Sequence, residues 1–182
     1  MLKTVFIRPL WQQRTRLIAA CLFMLLLTSV VLAQDDAQPT SVVIAGTLQS
    51  VLGCEDDWQP TCEATALAYD PDDDLWQATF ELPAGNYEYK AMLNGDEGQT
   101  VGANAALDGE SIALSLAEDG RVKFIYSHAT GWVTDSVNAL IANVPGSYQD
   151  LIGCPGEWAP DCLRSLLQDP DGDRLYTFAT TD

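Results

Sequence analysis

Two neighbouring stretches of this chain alternate apolar and polar residues with a period of two. Trp76, Ala78, Phe80 and Leu82 alternate with Gln77, Thr79 and Glu81, and Tyr87, Tyr89 and Ala91 alternate with Glu88 and Lys90. Successive side chains of a strand point to opposite faces, so this pattern predicts a β-hairpin with one buried face, turned at Pro83-Ala84-Gly85-Asn86. Val42-Val43-Ile44-Ala45 predicts an earlier strand, and Asn94-Gly95 ends the second strand of the hairpin. Ile112 to Leu116 and Val122 to Tyr126 follow, separated by Glu118-Asp119-Gly120, and Gly131-Trp132-Val133-Thr134 closes the unit. About seven short strands at this spacing, with no long helical period, predict an all-β antiparallel sandwich. Trp76, Tyr87 and Tyr89 are expected in its core.

The pattern then begins again. Gly46-Thr47-Leu48-Gln49 through Gly53-Cys54 realigns with Gly146-Ser147-Tyr148-Gln149 through Gly153-Cys154, and Trp58, Pro60 and Cys62 align with Trp158, Pro160 and Cys162. Asp70-Pro71-Asp72 recurs as Asp169-Pro170-Asp171 after a one-residue slip. A repeat near one hundred residues is the size of a domain rather than a solenoid unit. One complete copy over 41–136 and one partial copy over 137–182 are therefore expected. A sheet lacking half its strands exposes edges and an apolar face. The second copy should be loosely ordered, pack on the first, or belong to a longer chain; a fragment or an early-ended reading frame is the favoured reading.

The N-terminus has another character. Lys3, Arg8, Arg14 and Arg16 precede or adjoin an apolar run, Leu17 to Ala33, with no acidic residue, and Val31-Leu32-Ala33 supplies small residues before Gln34. This is the layout of a signal peptide over 1–33, cleaved after Ala33 and followed by a linker at 34–40. An uncleaved anchor is the alternative, since an apolar run of about 17 residues lies at the lower limit for a span. Ile18-Ala19-Ala20-Cys21 is a loose lipobox, but almost all of the apolar run follows Cys21, which argues against lipid attachment there. Cleavage leaves five basic against 26 acidic residues, a net charge of −21. Such a field repels nucleic acid and anionic membrane surfaces and favours neutral or cationic partners and solubility in the open medium.

Export also decides how the cysteines are read. Cys54/Cys62 and Cys154/Cys162 have identical spacing, which in a secreted chain predicts two local disulfides, each contributing about 2–3 kcal/mol on the chain-entropy model. A shared zinc site is the rival, and it is disfavoured because zinc cysteines usually lie two to four apart and His128 is the single histidine.

Three chemistries remain open. Asp70, Asp72 and Asp74, and likewise Asp169, Asp171 and Asp173, put carboxylates at alternate positions, as loops holding a structural calcium do; the same residues also suit a plain solvated turn. Trp58, Trp132 and Tyr126 are candidates for stacking on sugar rings, although a Trp packed over a small disulfide is an ordinary mini-core. Catalysis has no apparatus: there is no nucleophile motif, no metal-binding helix motif and no phosphate loop, and no carboxylate pair is singled out. His128 is read as a strand-end surface residue, and the chain as non-enzymatic.

The run Gly53-Cys54-Glu55-Asp56-Asp57-Trp58-Gln59-Pro60-Thr61-Cys62, the turn Asp70 to Gln77, the stretch Leu82 to Gly95 with its Tyr87-Glu88-Tyr89-Lys90 strand, and His128 to Asp135 closely resemble the accessory early-set β-sandwich module of bacterial pullulanases and amylopullulanases. The resemblance covers nearly all of Ser41 to Asp182, and tandem copies are usual in that family. It implies an immunoglobulin-like sandwich beside a starch-debranching domain, with α-glucan (starch, pullulan or glycogen) as partner. One stretch departs from the pattern. After Asn94-Gly95 the family has Ser-Trp-x-Glu-Asn-Tyr-Gly, whereas here Asp96 to Gly102 carries no aromatic residue. The expected function is thus a secreted, non-catalytic module binding α-glucan weakly; the alternative is a structural spacer with no ligand of its own.

Overall fold

The computed structural model describes residues 37–178. The expected signal peptide with Cys21, the first residues of the linker, and Thr180 lie outside the described residues. Eight strands form among the described residues: β1 Val42–Gly46, β2 Ala66–Asp70, β3 Leu75–Leu82, β4 Gly85–Leu93, β5 Thr100–Val101, β6 Ile112–Leu116, β7 Gly120–Tyr126 and β8 Val133–Asp135. All pairings are antiparallel.

One layer is built on β4. Its one edge takes β1, from Val42 opposite Leu93 to Gly46 opposite Tyr89, and its other edge takes β6 and then β5. The second layer runs β2, β3, β7, β8. The layers are joined by β2, whose Ala66 and Leu67 pair with β1 while Ala68 to Asp70 pair with β3. This strand lies outside the sequence expectation because only Leu67 of Ala66 to Tyr69 is buried, so no period of two marks it.

Between the layers sits the main core, which includes Ile44, Leu48, Leu82, Leu114, Val122 and Phe124, together with Trp76, Tyr87 and Tyr89 as expected. Tyr89 of β4 meets Phe124 of β7 edge to face, with ring centroids 5.1 Å apart. Two facing sheets whose inner residues interdigitate in this way make the antiparallel sandwich predicted from the alternation. Gly46 is required where β1 crosses β4: a Cβ there would stand 2.0 Å from the Glu88 carbonyl oxygen. At the sandwich end the fully buried Asp135 carboxylate accepts hydrogen bonds from the Tyr89 hydroxyl (2.8 Å), from the backbone N–H groups of Val137 and Asn138, and from the Asn138 amide. A buried carboxylate needs such donors, and these also fix where the chain leaves the sandwich.

Residues 137–178 then fold back on the outer face of the second layer. Leu75, Ile125 and Trp132 form a second apolar cluster with Leu166, to which Ala139, Ile141, Leu163 and Tyr176 are added. This stretch therefore packs on the first, one of the outcomes expected for a sheet without its full set of strands. It contains no extended strand, yet isolated bridges pair Asn143 with Leu166 and Gln168 with Thr177. These match Val43 with Ala66 and Ala68 with Gln77 at an offset of one hundred, so the one-residue slip at Asp169 is taken up again before Thr177.

Candidate functional site

The most heavily constrained local structure lies in the loop following β1. A short 3₁₀ turn, Ser50–Leu52, ends at Gly53 with φ 99°, a left-handed value that glycine adopts without strain. Cys54 and Cys62 are bridged, with Cα atoms 5.9 Å apart. Within this loop the side chain of Gln49 is fully buried and grips the backbone of residue 59 from both sides. Its Oε1 accepts from the Gln59 N–H at 2.7 Å, and its Nε2 donates to the Gln59 carbonyl at 2.8 Å and to Thr65 Oγ1 at 3.0 Å. Both backbone groups of residue 59 are thus satisfied by one amide, and the loop needs no strand partner.

One hundred residues later the construction recurs. Gln149 Oε1 accepts from Ala159 N–H at 2.7 Å, and Nε2 donates to the Ala159 carbonyl at 2.9 Å and to Ser165 Oγ at 3.0 Å. Cys154 and Cys162 are bridged, again with Cα atoms 5.9 Å apart, and Gly153 stands at φ 91°. Both disulfides expected from the spacing are formed.

Each clamp holds the residue that follows a tryptophan. Trp58 and Trp158 themselves adopt left-handed backbone, at φ 61° and 54°. For a bulky L-residue this conformation costs about 1–2 kcal/mol, and it persists only where the surroundings fix it. The disulfide and the glutamine clamp supply that constraint. Trp58 is half-buried, and Trp158 is 65% exposed. An indole this open is not the centre of a mini-core. Trp158 is not one of the stacking candidates expected from the sequence, although its alignment with Trp58 carries the signal.

The other two stacking candidates are placed differently. Trp132 is 5% exposed and meets Tyr176 edge to face in the second apolar cluster. Tyr126 is 2% exposed and belongs to the main core, its hydroxyl 3.2 Å from Nδ1 of the half-buried His128. Burial raises the Tyr126 phenol pKa. Neither ring offers a face to a sugar, because the facing first layer covers Tyr126 and residues 137–178 cover Trp132. The expectation for Trp132 and Tyr126 is corrected accordingly, and Trp58 remains.

The acidic loops also part company. Asp70 Oδ1 accepts from the N–H groups of Asp72 and Asp73, closing its own turn, and its Oδ2 accepts from Gln77. Asp74 accepts from the Tyr69 hydroxyl at 2.7 Å, a hydrogen bond that, with burial, raises the Tyr69 pKa. These bonds are those of a closed turn. Asp169, Asp171 and Asp173 do converge, with one oxygen of each within 4.8 Å of the others. The buried Asp169 Oδ1 has no donor among the described residues.

The first acidic turn has a further use. Asp73 Oδ1 accepts from the Leu163 N–H at 2.8 Å, and Arg164 donates to the carbonyls of Asp72 (2.8 Å) and Pro71 (2.6 Å). These bonds dock the base of the second clamp loop on the β2–β3 turn. A cleft of about 460 Å³ beside them is lined by Leu75, Leu166 and Phe178, with Thr130 and Arg164 among its polar groups. Thr130 is bonded to Gln168 and Arg164 to the carbonyls just named, so these two groups serve the docking.

Comparison with known proteins bears on the same residues. The family model of the pullulanase X25 domain matches residues 41–133 and 141–181. An amylopullulanase of Thermoanaerobacterium saccharolyticum is 34% identical over 110 residues, 59% of this chain and 9% of that protein. An amylopullulanase of Thermoanaerobacterium thermosulfurigenes is 27% identical over 110 residues, 59% of this chain and 6% of that protein. Among solved structures, the pullulanase from Bacillus acidopullulyticus aligns at 33% identity with a TM-score of 0.49, covering 56% of this chain and 12% of that one. The similarity thus spans under a tenth of either amylopullulanase.

Proposed function

Because this chain belongs to the pullulanase X25 domain family, we propose that it is an exported, non-catalytic module that binds α-glucan weakly through the indole of Trp58. The observation that carries the reading is the clamp loop: a tryptophan in a strained backbone conformation, fixed by a disulfide and by the buried Gln49 amide, with exposed Glu55 and Asp56 beside it. A pyranose ring stacks its C–H face on an indole while neighbouring carboxylates accept from its hydroxyls. A loop whose backbone is fixed before the ligand arrives loses little conformational freedom on binding, which is where a small contact gains affinity. The net charge of −21 beyond Ala33 suits a neutral polymer and disfavours an anionic one. Two disulfides fit an oxidising, extracellular setting.

Affinity electrophoresis in gels containing amylose, glycogen or pullulan tests this. Retardation in at least one gel, relieved by Trp58→Ala, is expected. Unretarded migration of the unaltered chain in all three rejects the reading and leaves a spacer module in its place. The calcium reading narrows to Asp169, Asp171 and Asp173, on the strength of their convergence and the unpartnered Asp169 oxygen. Addition of calcium should raise the melting temperature, and Asp171→Asn should remove the increase; an unchanged melting curve ends that reading.

A further inference from the structure

The second clamp loop repeats the glutamine, disulfide and tryptophan-backbone geometry of the first. Gln149 holds both backbone groups of Ala159 as Gln49 holds those of Gln59, the disulfide has the same Cα separation of 5.9 Å, and Trp158 sits in the same left-handed region as Trp58. Trp158 is the more open of the two indoles, at 65% exposed, and Glu157 and Asp161 flank it as exposed carboxylates. An open ring of this size adds little to the core, yet its backbone is held at a left-handed φ that a glycine would occupy without strain. Stability therefore does not explain a tryptophan at this position.

The loop is also docked on the sandwich that carries the first. Leu163 and Arg164 directly follow Cys162, and they are the residues bonded to Asp73, Asp72 and Pro71 of the β2–β3 turn. Leu166 adds an apolar contact to Leu75, Ile125 and Trp132. The two indoles are thus carried on one body rather than on a flexible tether.

We infer that Trp158 is a second stacking site for the same neutral polysaccharide, and that Trp58 and Trp158 engage one glucan chain together. This rests on the glucan reading proposed above and adds to it a ligand requirement: a chain long enough to reach both rings. Once one ring is bound, the second would meet its sugar at an effective concentration set by the distance between the rings on that body, so polymer binds more tightly than an oligosaccharide confined to one ring.

The test compares maltotriose with soluble amylose and pullulan by titration calorimetry, on the unaltered chain and on Trp158→Gly and Trp158→Tyr. The unaltered chain is expected to bind at least one polymer, per chain end, about tenfold or more tightly than maltotriose. Trp158→Gly should remove that advantage while leaving the maltotriose affinity of the Trp58 loop within about twofold, and Trp158→Tyr, which keeps a stacking face, should restore much of it. An unchanged melting temperature in both variants shows that the fold is kept; if the glycine variant melts earlier, the tyrosine and a Trp158→Ser variant carry the comparison. Polymer binding that is no tighter than trisaccharide binding, or that survives Trp158→Gly, overturns the inference while the single-ring reading stands. Absence of binding to every ligand overturns both.

Discussion

Residues 41–135 and 137–178 contain the same clamp loop but differ in almost everything around it. In the first stretch β1 is paired on both edges, by β2 and by β4, and Leu48 after it is fully buried in the main core. In the second, the counterpart of β1 keeps only the bridge from Asn143 to Leu166, and Tyr148 stands where Leu48 does, stacked on Phe178. Val144 and Leu151 are exposed. Yet the Gln149 bonds match those of Gln49 within 0.1 Å, except at the more distant Gly46 and Gly146 N–H groups. The clamp loop is determined within about twenty residues by one amide, one disulfide and one glycine, whereas strands need partners from far along the chain. Pro145 fits the same picture. It replaces Ala45, which faces Lys90 across the β1–β4 ladder, and a proline with no N–H is tolerated at an unpaired edge.

If this contrast is right, core substitutions in the two stretches should differ most. Leu48→Ala should lower global unfolding free energy by about 2–5 kcal/mol, the range for emptying a buried leucine site. Leu166→Ala should lose a similar amount, but from residues 137–178 alone: hydrogen exchange at the Val144 and Leu167 amides accelerates while the β4 and β7 amides keep their protection. Equal acceleration in both stretches would mean one cooperative unit and would break the comparison.

The clamps come next in size. Gln49→Ala and Gln149→Ala each orphan partly buried backbone groups, at about 1–3 kcal/mol. The first should lower the main melting transition, and the second should change only the exchange of residues 149–165.

A smaller effect separates the stretches by pH. Burial first, and then the Asp135 charge and hydrogen bond, hold the Tyr89 phenol well above its ordinary value, and Tyr69 and Tyr126 are also raised. All three belong to residues 41–135. A raised folded pKa means stability that is complete below about pH 10 and declines above it, as the unfolded chain releases protons that the folded chain retains. Denaturant melts of the first stretch should therefore be level from neutral pH to about 9 and fall beyond about 10, less steeply in Tyr89→Phe.

Much of this was legible in the sequence, for identifiable reasons. Period-two alternation marked β3 and β4 because each has one buried face, and Ile112–Leu116 was placed at its observed bounds. Cysteine spacing gave both disulfides. What remained hidden depended on tertiary placement. Trp132 and Tyr126 sit in strand contexts that look half-exposed until residues 137–178 and the facing layer cover them. The roles of Gln49 and Gln149 could not be read from residue type, because a glutamine in a turn is ordinarily solvated; their recurrence one hundred residues apart was the available clue. Asp70 and Asp169 head similar motifs, and only the bonds around each tell a turn from a converging trio.

The proposed function requires that the clamp loops present sugar-binding rings while the other described indoles, Trp76 and Trp132, serve the core. Site-resolved NMR of the indole N–H groups during titration with soluble amylose or pullulan tests it directly. The Trp58 and Trp158 signals are expected to shift with glucan while those of Trp76 and Trp132 stay in place. Shifts confined to Trp76 and Trp132, or no shift in any indole at saturating glucan, would contradict it.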